Sequence, residues 1–421
     1  MCLPQFGGGN SKLVPLIQHL ATFELQRTEE EMQFKTISRL TMTGALTMAA
    51  LLALSTMGMA QAYQQVNLVS DIQGLAQNPP NGQPDKQLLN PWGLIASSTS
   101  PWWVSDNNSG VSTLYNGQGV KSGLVVNITS PVAGVAGTPT GIVFTGASGF
   151  TFTAKGVTAT SAFTFVTEDG TIVAWGPGIN PKDLPNDAFI VVDNSQKPTP
   201  AEGAVYKGAT IAQMTAGGPF FLFVANIRSG RIEVYDTTFA PVNLSTLDVE
   251  HPFHDDEIPD GFAPFNVQEV NGNLYVTYAK QNASKHDDLD FPGFGYVDKF
   301  SPKGKLLQHL KHGPWLNAPW GVALTPPNFG FYSNHLFIGN AGSGQIAVYD
   351  LDGHFDGLLR DANGHAIQND RLWALRFGND HGAGPSNWLY FTAGISDEAH
   401  GLFGFFVPAD NSAPEADADD Q

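Results

Sequence analysis

Cysteine is almost missing from this chain. Cys2 is the only one in 421 residues. Disulfides, thiolate metal sites and cysteine nucleophiles are therefore excluded beyond the second position, and stability must come from a packed core. Charge is also scarce, at 14% of residues, and lopsided: 39 acids against 21 bases leave a net −18. Such a balance argues against nucleic acid and anionic membrane surfaces as partners, and is compatible with plain solubility or cation binding. The motifs G-x-S-x-G and H-E-x-x-H and the Walker loop are absent, so no complete catalytic set is visible. What the chain does have is turn and strand chemistry. Its 46 Gly, 28 Pro and 28 Phe point to many short strands rather than long helices.

The N-terminal segment reads as an export signal. Lys35 and Arg39 form a positive region, the apolar run Leu40–Met59 follows, and Ala60-Gln61-Ala62 is an A-x-A cleavage site, so residues 32–62 are expected to be a signal peptide. A membrane anchor is the alternative for the same run. Residues 1–31 carry three successive glutamates, which such leaders avoid, and Met32 is the expected true start. Cleavage would release a chain beginning at Tyr63, exported to the periplasm or the medium and without a stable membrane span. The expected propeller domain covers 63–409, and the acidic stretch 410–421 reads as a disordered tail.

A repeat organises everything between. LFIGNAGSGQIAVYD (Leu336–Asp350) matches LFVANIRSGRIEVYD (Leu222–Asp236) at nine of fifteen positions, 114 residues away. Each reads as strand, tight turn, strand. Looser copies lie at Trp102–Tyr115, Phe165–Trp175, Leu274–Phe300 and Leu389–Phe406. NPWGL (Asn90–Leu94) returns as APWGV (Ala318–Val322) 228 residues later, so one period of 57 fits both spacings. Segments such as Gly137–Phe144, Phe262–Val270 and Asp370–Gly378 lead into a hairpin. Apolar stretches at Gly123–Ile128, Ala188–Val192, Val242–Val249, Lys305–Leu310 and Phe355–Leu359 follow one. Six units of four antiparallel strands, A to D, predict an all-β fold, a six-bladed β-propeller. The last unit lacks a fourth strand, and Tyr63–Ser70 is expected to supply it, closing the ring and hiding the sheet edges. A pair of β-sandwiches is the competing architecture.

NLVSD, LNPWGL, PWWVSDNNSGVSTLYNG, GTPTGIVF, TEDGTI, APFNVQ, LYVTYAKQ with KHDD, APWGVAL, LWALRFGN and LYFTAG occur in this order from residue 67 to 394. Together they resemble a family of exported bacterial proteins of unknown function, some of which carry a C-terminal sorting segment that this chain lacks. The pattern is also loosely similar to NHL-type and gluconolactonase-like propellers. Neither resemblance brings an established activity.

In such a blade the B–C turns and the D-to-A connections share one face. That face collects the candidate residues. The longest B–C loop, Lys280–Phe294, contains His286, Asp287, Asp288 and Asp290, and the connection before it contains His254, Asp255 and Asp256. Carboxylates with one or two imidazoles suit Ca²⁺ or another divalent cation, histidine shifting the preference towards Zn²⁺ or Mn²⁺. The structural alternative is that Asp and Asn simply cap turns. Ligand-binding candidates are Asn90, Glu168, Asn226, Lys280 and Asn340, with Trp92, Trp320 and Trp373 as an aromatic lining of the channel mouth or, alternatively, as packing between blades. The resulting expectation is a secreted binding or interaction module for a small molecule, glycan or protein. The alternative is a metal-dependent, lactonase-like hydrolase. Mass spectrometry of the expressed precursor should find no peptide from residues 1–31; finding one would refute the start at Met32.

Overall fold

The computed structural model describes residues 62–179 and 186–409. The leader, the signal peptide and the acidic tail expected from the sequence lie outside the described residues. Six antiparallel sheets follow one another in chain order, here blades I to VI. Blade I consists of strands Pro91–Ile95, Trp102–Asp106, Val111–Tyr115 and Lys121–Asn127. Blade V repeats it with Pro319–Leu324, Leu336–Asn340, Ile346–Tyr349 and Phe355–Leu358. Blade II has the same order and carries a small extra hairpin, Thr151–Ala154 with Val157–Thr160, between its first two strands. The protein is an all-β, six-bladed propeller. In blade VI the strand Tyr63–Ser70 pairs antiparallel with Leu402–Pro408, from Tyr63 opposite Pro408 to Ser70 opposite Leu402, so the N-terminal strand closes the ring as expected.

Two blades depart from the four-stranded rule. Blade III has three strands, Tyr206–Gln213, Phe220–Asn226 and Arg231–Tyr235. The strand expected at Val242–Val249 does not form. Pro241 has no N–H to give a ladder, and Val242 makes a single bond to Val234 before Asn243 accepts from the Ser245 amide and starts a 3₁₀ turn, Leu244–Thr246. Blade IV gains a strand instead. Its long B–C loop includes Asp288–Leu289, which pairs with the end of Asn273–Gln281.

The first strand of every blade is bulged against the second within its first few residues. Aligning the bulges puts Trp92, Thr140, Lys207, Phe265, Trp320 and Trp373 at one structural position around the axis. In four blades the next residue is glycine, and the reason is space. A Cβ at Gly93 would come within 2.5 Å of the Thr140 carbonyl oxygen, and one at Gly321 within 2.6 Å of the Trp373 carbonyl oxygen. The missing side chains let neighbouring inner strands crowd together.

Four of the six axial side chains are aromatic and fill the channel. Trp92 stacks on Trp373 at 3.6 Å and meets Trp320 and Phe265 edge-on, each at 6.1 Å. Burying one indole removes about 200 Å² from water, worth roughly 5 kcal/mol at ~25 cal/mol per Å². This exceeds the roughly 1–3 kcal/mol cost of leaving the Trp92 Nε1 without a partner, as it is here. Gly321→Ala should destabilise by about 1–3 kcal/mol in chemical denaturation. Gly123→Ala, whose added methyl would meet nothing within 4 Å, should change stability by less than about 0.5 kcal/mol. Equal effects would contradict the crowding.

Candidate functional site at the channel mouth

The aromatic plug makes a dry floor, and of the two axial positions that are not aromatic, Thr140 and Lys207, only the second carries a charge. Lys207, in blade III, is 1% exposed, and its Nζ lies 5.0 Å from the Trp92 ring centre, above the plug. Trp320 Nε1 donates to the Lys207 carbonyl, fixing the strand beneath it. The ammonium donates to Glu168 Oε1 and, at 3.0 Å, to Asp287 Oδ1. Burial works against its charge, yet the Glu168 and Asp287 carboxylates outweigh that and hold its pKa above the ordinary lysine value.

From Lys207 a chain of polar contacts runs round the mouth. Asn107 Nδ2, from the B–C turn of blade I, donates to the other oxygen of Glu168 at 2.9 Å. His286 Nδ1 is 2.9 Å from Asp287 Oδ1. For Asp287, burial opposes ionisation, but His286 and Lys207 prevail and keep the carboxyl well below the usual range. Consecutive residues of an extended chain point opposite ways, and the next carboxylate, Asp288, pairs with Arg371 of blade VI at 3.0 Å. Arg371 also meets Asp290 at 2.9 Å and Glu398 at 3.5 Å. Glu398 accepts from Asn90 Nδ2 at 2.8 Å, and Asn90 Oδ1 accepts from Trp373 Nε1 at 3.1 Å, returning the circuit to the plug. Asp290 is pushed up to about 7, by burial first and then by Asp288 beside it. Glu398 is raised as well, chiefly by burial.

The structure thus brings together Asn90, Glu168, His286, Asp287, Asp288 and Asp290 from the sequence-derived candidates. Among the described residues no side-chain hydrogen bond joins Asn226 or Asn340 to this circuit. Both are buried: Asn226 Oδ1 accepts from the Val205 amide while its Nδ2 donates to Glu233 Oε1, and Asn340 Oδ1 accepts from the Asn317 amide. Lys280 holds the Asp260 carbonyl at 2.9 Å and covers the Phe262 ring. Trp92, Trp320 and Trp373 are 2%, 5% and 0% exposed and pack on one another, below the mouth instead of lining it. The two acidic loops of blade IV share a blade, but among the described residues no hydrogen bond or ion pair joins His254, Asp255 or Asp256 to the His286–Asp290 set. His254 and Asp256 pair with each other in solvent, and Asp255 turns inward to His309.

Lys207 and Arg371 were not singled out from the sequence, although both carried a signal. Aligned on the tryptophans, Arg371 falls where blades I and V have Asn90 and Ala318, and all three have positive φ, between 46° and 49°. YKG at Tyr206–Gly208 is the blade III counterpart of PWG. A cavity of about 410 Å³ opens away from this circuit, lined by the later residues of inner strands, among them Gln268, Leu324 and Arg376. The mouth is preferred as the site because the convergent polar side chains are there.

No protein-family model matches the chain. An uncharacterised protein, L690, of Acanthamoeba polyphaga mimivirus is 27% identical over 328 residues, covering 77% of this chain and 81% of its own. Among solved structures, an inactive virginiamycin B lyase from Staphylococcus aureus with quinupristin is 11% identical, covers 82% of this chain and 98% of its own, and superposes with a TM-score of 0.42. A glucose dehydrogenase is 14% identical, covers 81% and 99%, and gives 0.45. That sequence relative is viral, so it does not show a bacterial exported family. No helix among the described residues is long and apolar enough to cross a membrane.

Replacing Lys207 by Met leaves Glu168, whose side chain is 14% exposed, without its cation. A loss of about 3–5 kcal/mol is expected in denaturant unfolding. Lys207→Met with Glu168→Gln should recover more than half of it. A single-variant loss below about 1 kcal/mol would show that the pair is not coupled.

Proposed function

We propose that the chain is an exported binding module that takes a small polar ligand at the B–C mouth of its propeller. The observation that carries this reading is the charged circuit assembled on a plugged channel, with Lys207 as its hub. Six carboxylates, from Glu168, Asp287, Asp288, Asp290, Asp397 and Glu398, face two permanent cations, Lys207 and Arg371. The excess favours a ligand bearing hydroxyls or positive charge, and Ca²⁺ is the cation that this largely oxygen-bearing rim suits. The donor set Glu168, His286 and Asp287 is close enough to share an ion. Two of its members already hold the Lys207 ammonium, however, so an ion would have to compete with a tethered charge. That competition supports a binding module over a lactonase-like hydrolase, which needs a metal with an open coordination position.

The test is a melting curve of the purified chain in EDTA, then in millimolar CaCl₂, with hydrolysis of a simple aliphatic lactone followed in parallel. At a free ion concentration 100-fold above Kd the stabilisation is about 2.7 kcal/mol, which reads as a rise of a few degrees. That rise should be lost in Asp287→Asn. No response to Ca²⁺ would remove the cation from the proposal. Lactone hydrolysis above background that depends on Glu168 would transfer the assignment to the hydrolase.

A further inference from the structure

A second polar cluster lies on the flank of blade IV, and register builds it. Strands Asn273–Gln281, Gly295–Phe300 and Leu306–His309 are neighbours in the sheet. Tyr278 stands opposite Tyr296, and Asp298 stands opposite Val276 on one side and His309 on the other. With side chains alternating residue by residue, Tyr278, Asp298 and His309 fall on one face of the sheet. Asp255 reaches the same point from the loop before the blade. His309 Nδ1 lies 2.7 Å from Asp298 Oδ1 and 2.9 Å from Asp255 Oδ2.

These groups are removed from water and incompletely satisfied. The side chains of Asp298, Asp255 and His309 are 0%, 4% and 21% exposed. The Tyr278 hydroxyl is directed at Asp298, and neither it nor Asp298 Oδ2 has any other partner. One imidazole nitrogen, His309 Nδ1, serves both carboxylates, and two buried carboxylates sharing one partner sit in a low-dielectric place, where uncompensated charge costs several kcal/mol.

We infer that Asp255, Asp298 and His309 form a buried divalent metal site for an ion of the Zn²⁺ or Mn²⁺ class, with the Tyr278 hydroxyl beside it. Two carboxylates and a neutral imidazole are a donor set that such ions take, and a 2+ ion cancels the two carboxylates. The three ligand atoms lie within 4.8 Å of one another. Around an ion at ~2.1 Å they would sit roughly 3.0–3.4 Å apart, so binding opens the present contacts by a few tenths of an ångström. The ion clasps the loop 251–260 to the middle and outer strands of blade IV. This site is separate from the mouth and does not rest on the ligand proposed there.

The purified, untagged full chain is stripped with EDTA, titrated with ZnCl₂ and MnCl₂, passed through a desalting column and analysed for metal. One equivalent per chain should remain, with a raised Tm. Asp298→Asn and His309→Gln should each weaken binding at least about tenfold, and the second, at a partly exposed position, guards against a variant that merely fails to fold. The double variant Glu168→Gln/Asp287→Asn should keep its equivalent. The inference is overturned if the wild-type chain retains no metal, if folded His309→Gln binds as tightly as wild type, or if the mouth variant loses the ion.

Discussion

Six inner strands must converge on one axis, and how closely they approach decides what the rest of the molecule can be. Glycines at 93, 141, 208 and 321 remove the Cβ atoms that would strike the neighbouring strand. Bulges at the strand starts turn the preceding side chains inward. Large rings at four of the six axial positions then fill the space with Trp92, Phe265, Trp320 and Trp373. The propeller is therefore held from its centre as well as by the pairing of Tyr63–Ser70 with the last blade.

A filled centre has an electrostatic consequence. Water is excluded below the mouth, so the Lys207 ammonium can be held only by partners, and Glu168 and Asp287 supply them. The same reasoning explains the length of the blade IV loop. Its carboxylates reach blade III through Asp287 and blade VI through Asp288 and Asp290, a span that a two-residue turn cannot cover. The circuit joins side chains from separate blades, so mouth geometry and ring closure are coupled: loosening the ring would part Asn90 from Glu398 and Lys207 from Asp287.

Much of the fold was legible because a repeat states its rule several times. The six hairpins, the closing strand and most outer strands follow from apolar alternation, turn residues and a constant period. Blade III was the weak point. Its inner strand, Tyr206–Gln213, lacks the PWG signature, and its outer strand is missing because Pro241 and Asn243 redirect the chain. The candidate site was half legible. Glu168 and the His286–Asp290 loop stand out as polar residues on the loop-rich face, whereas Asn340, equally polar, is used up in capping backbone and Asn226 is shared between backbone and Glu233. Polarity in a turn does not distinguish the two uses; the partner does.

The sequence by itself determined the period, the strand character and the face on which acids collect, since these depend on residue type and spacing along the chain. Only the tertiary structure decided which charges meet. Lys207 and Arg371 are isolated cations in sequence, 164 residues apart, and become hubs because closure brings blades III, IV and VI around one mouth. It also decided that the tryptophans plug the channel and that Asp255 turns from the loop towards His309. Contacts across a closed ring are fixed by the radius at which inner strands pack, and that radius is a property of all six blades together.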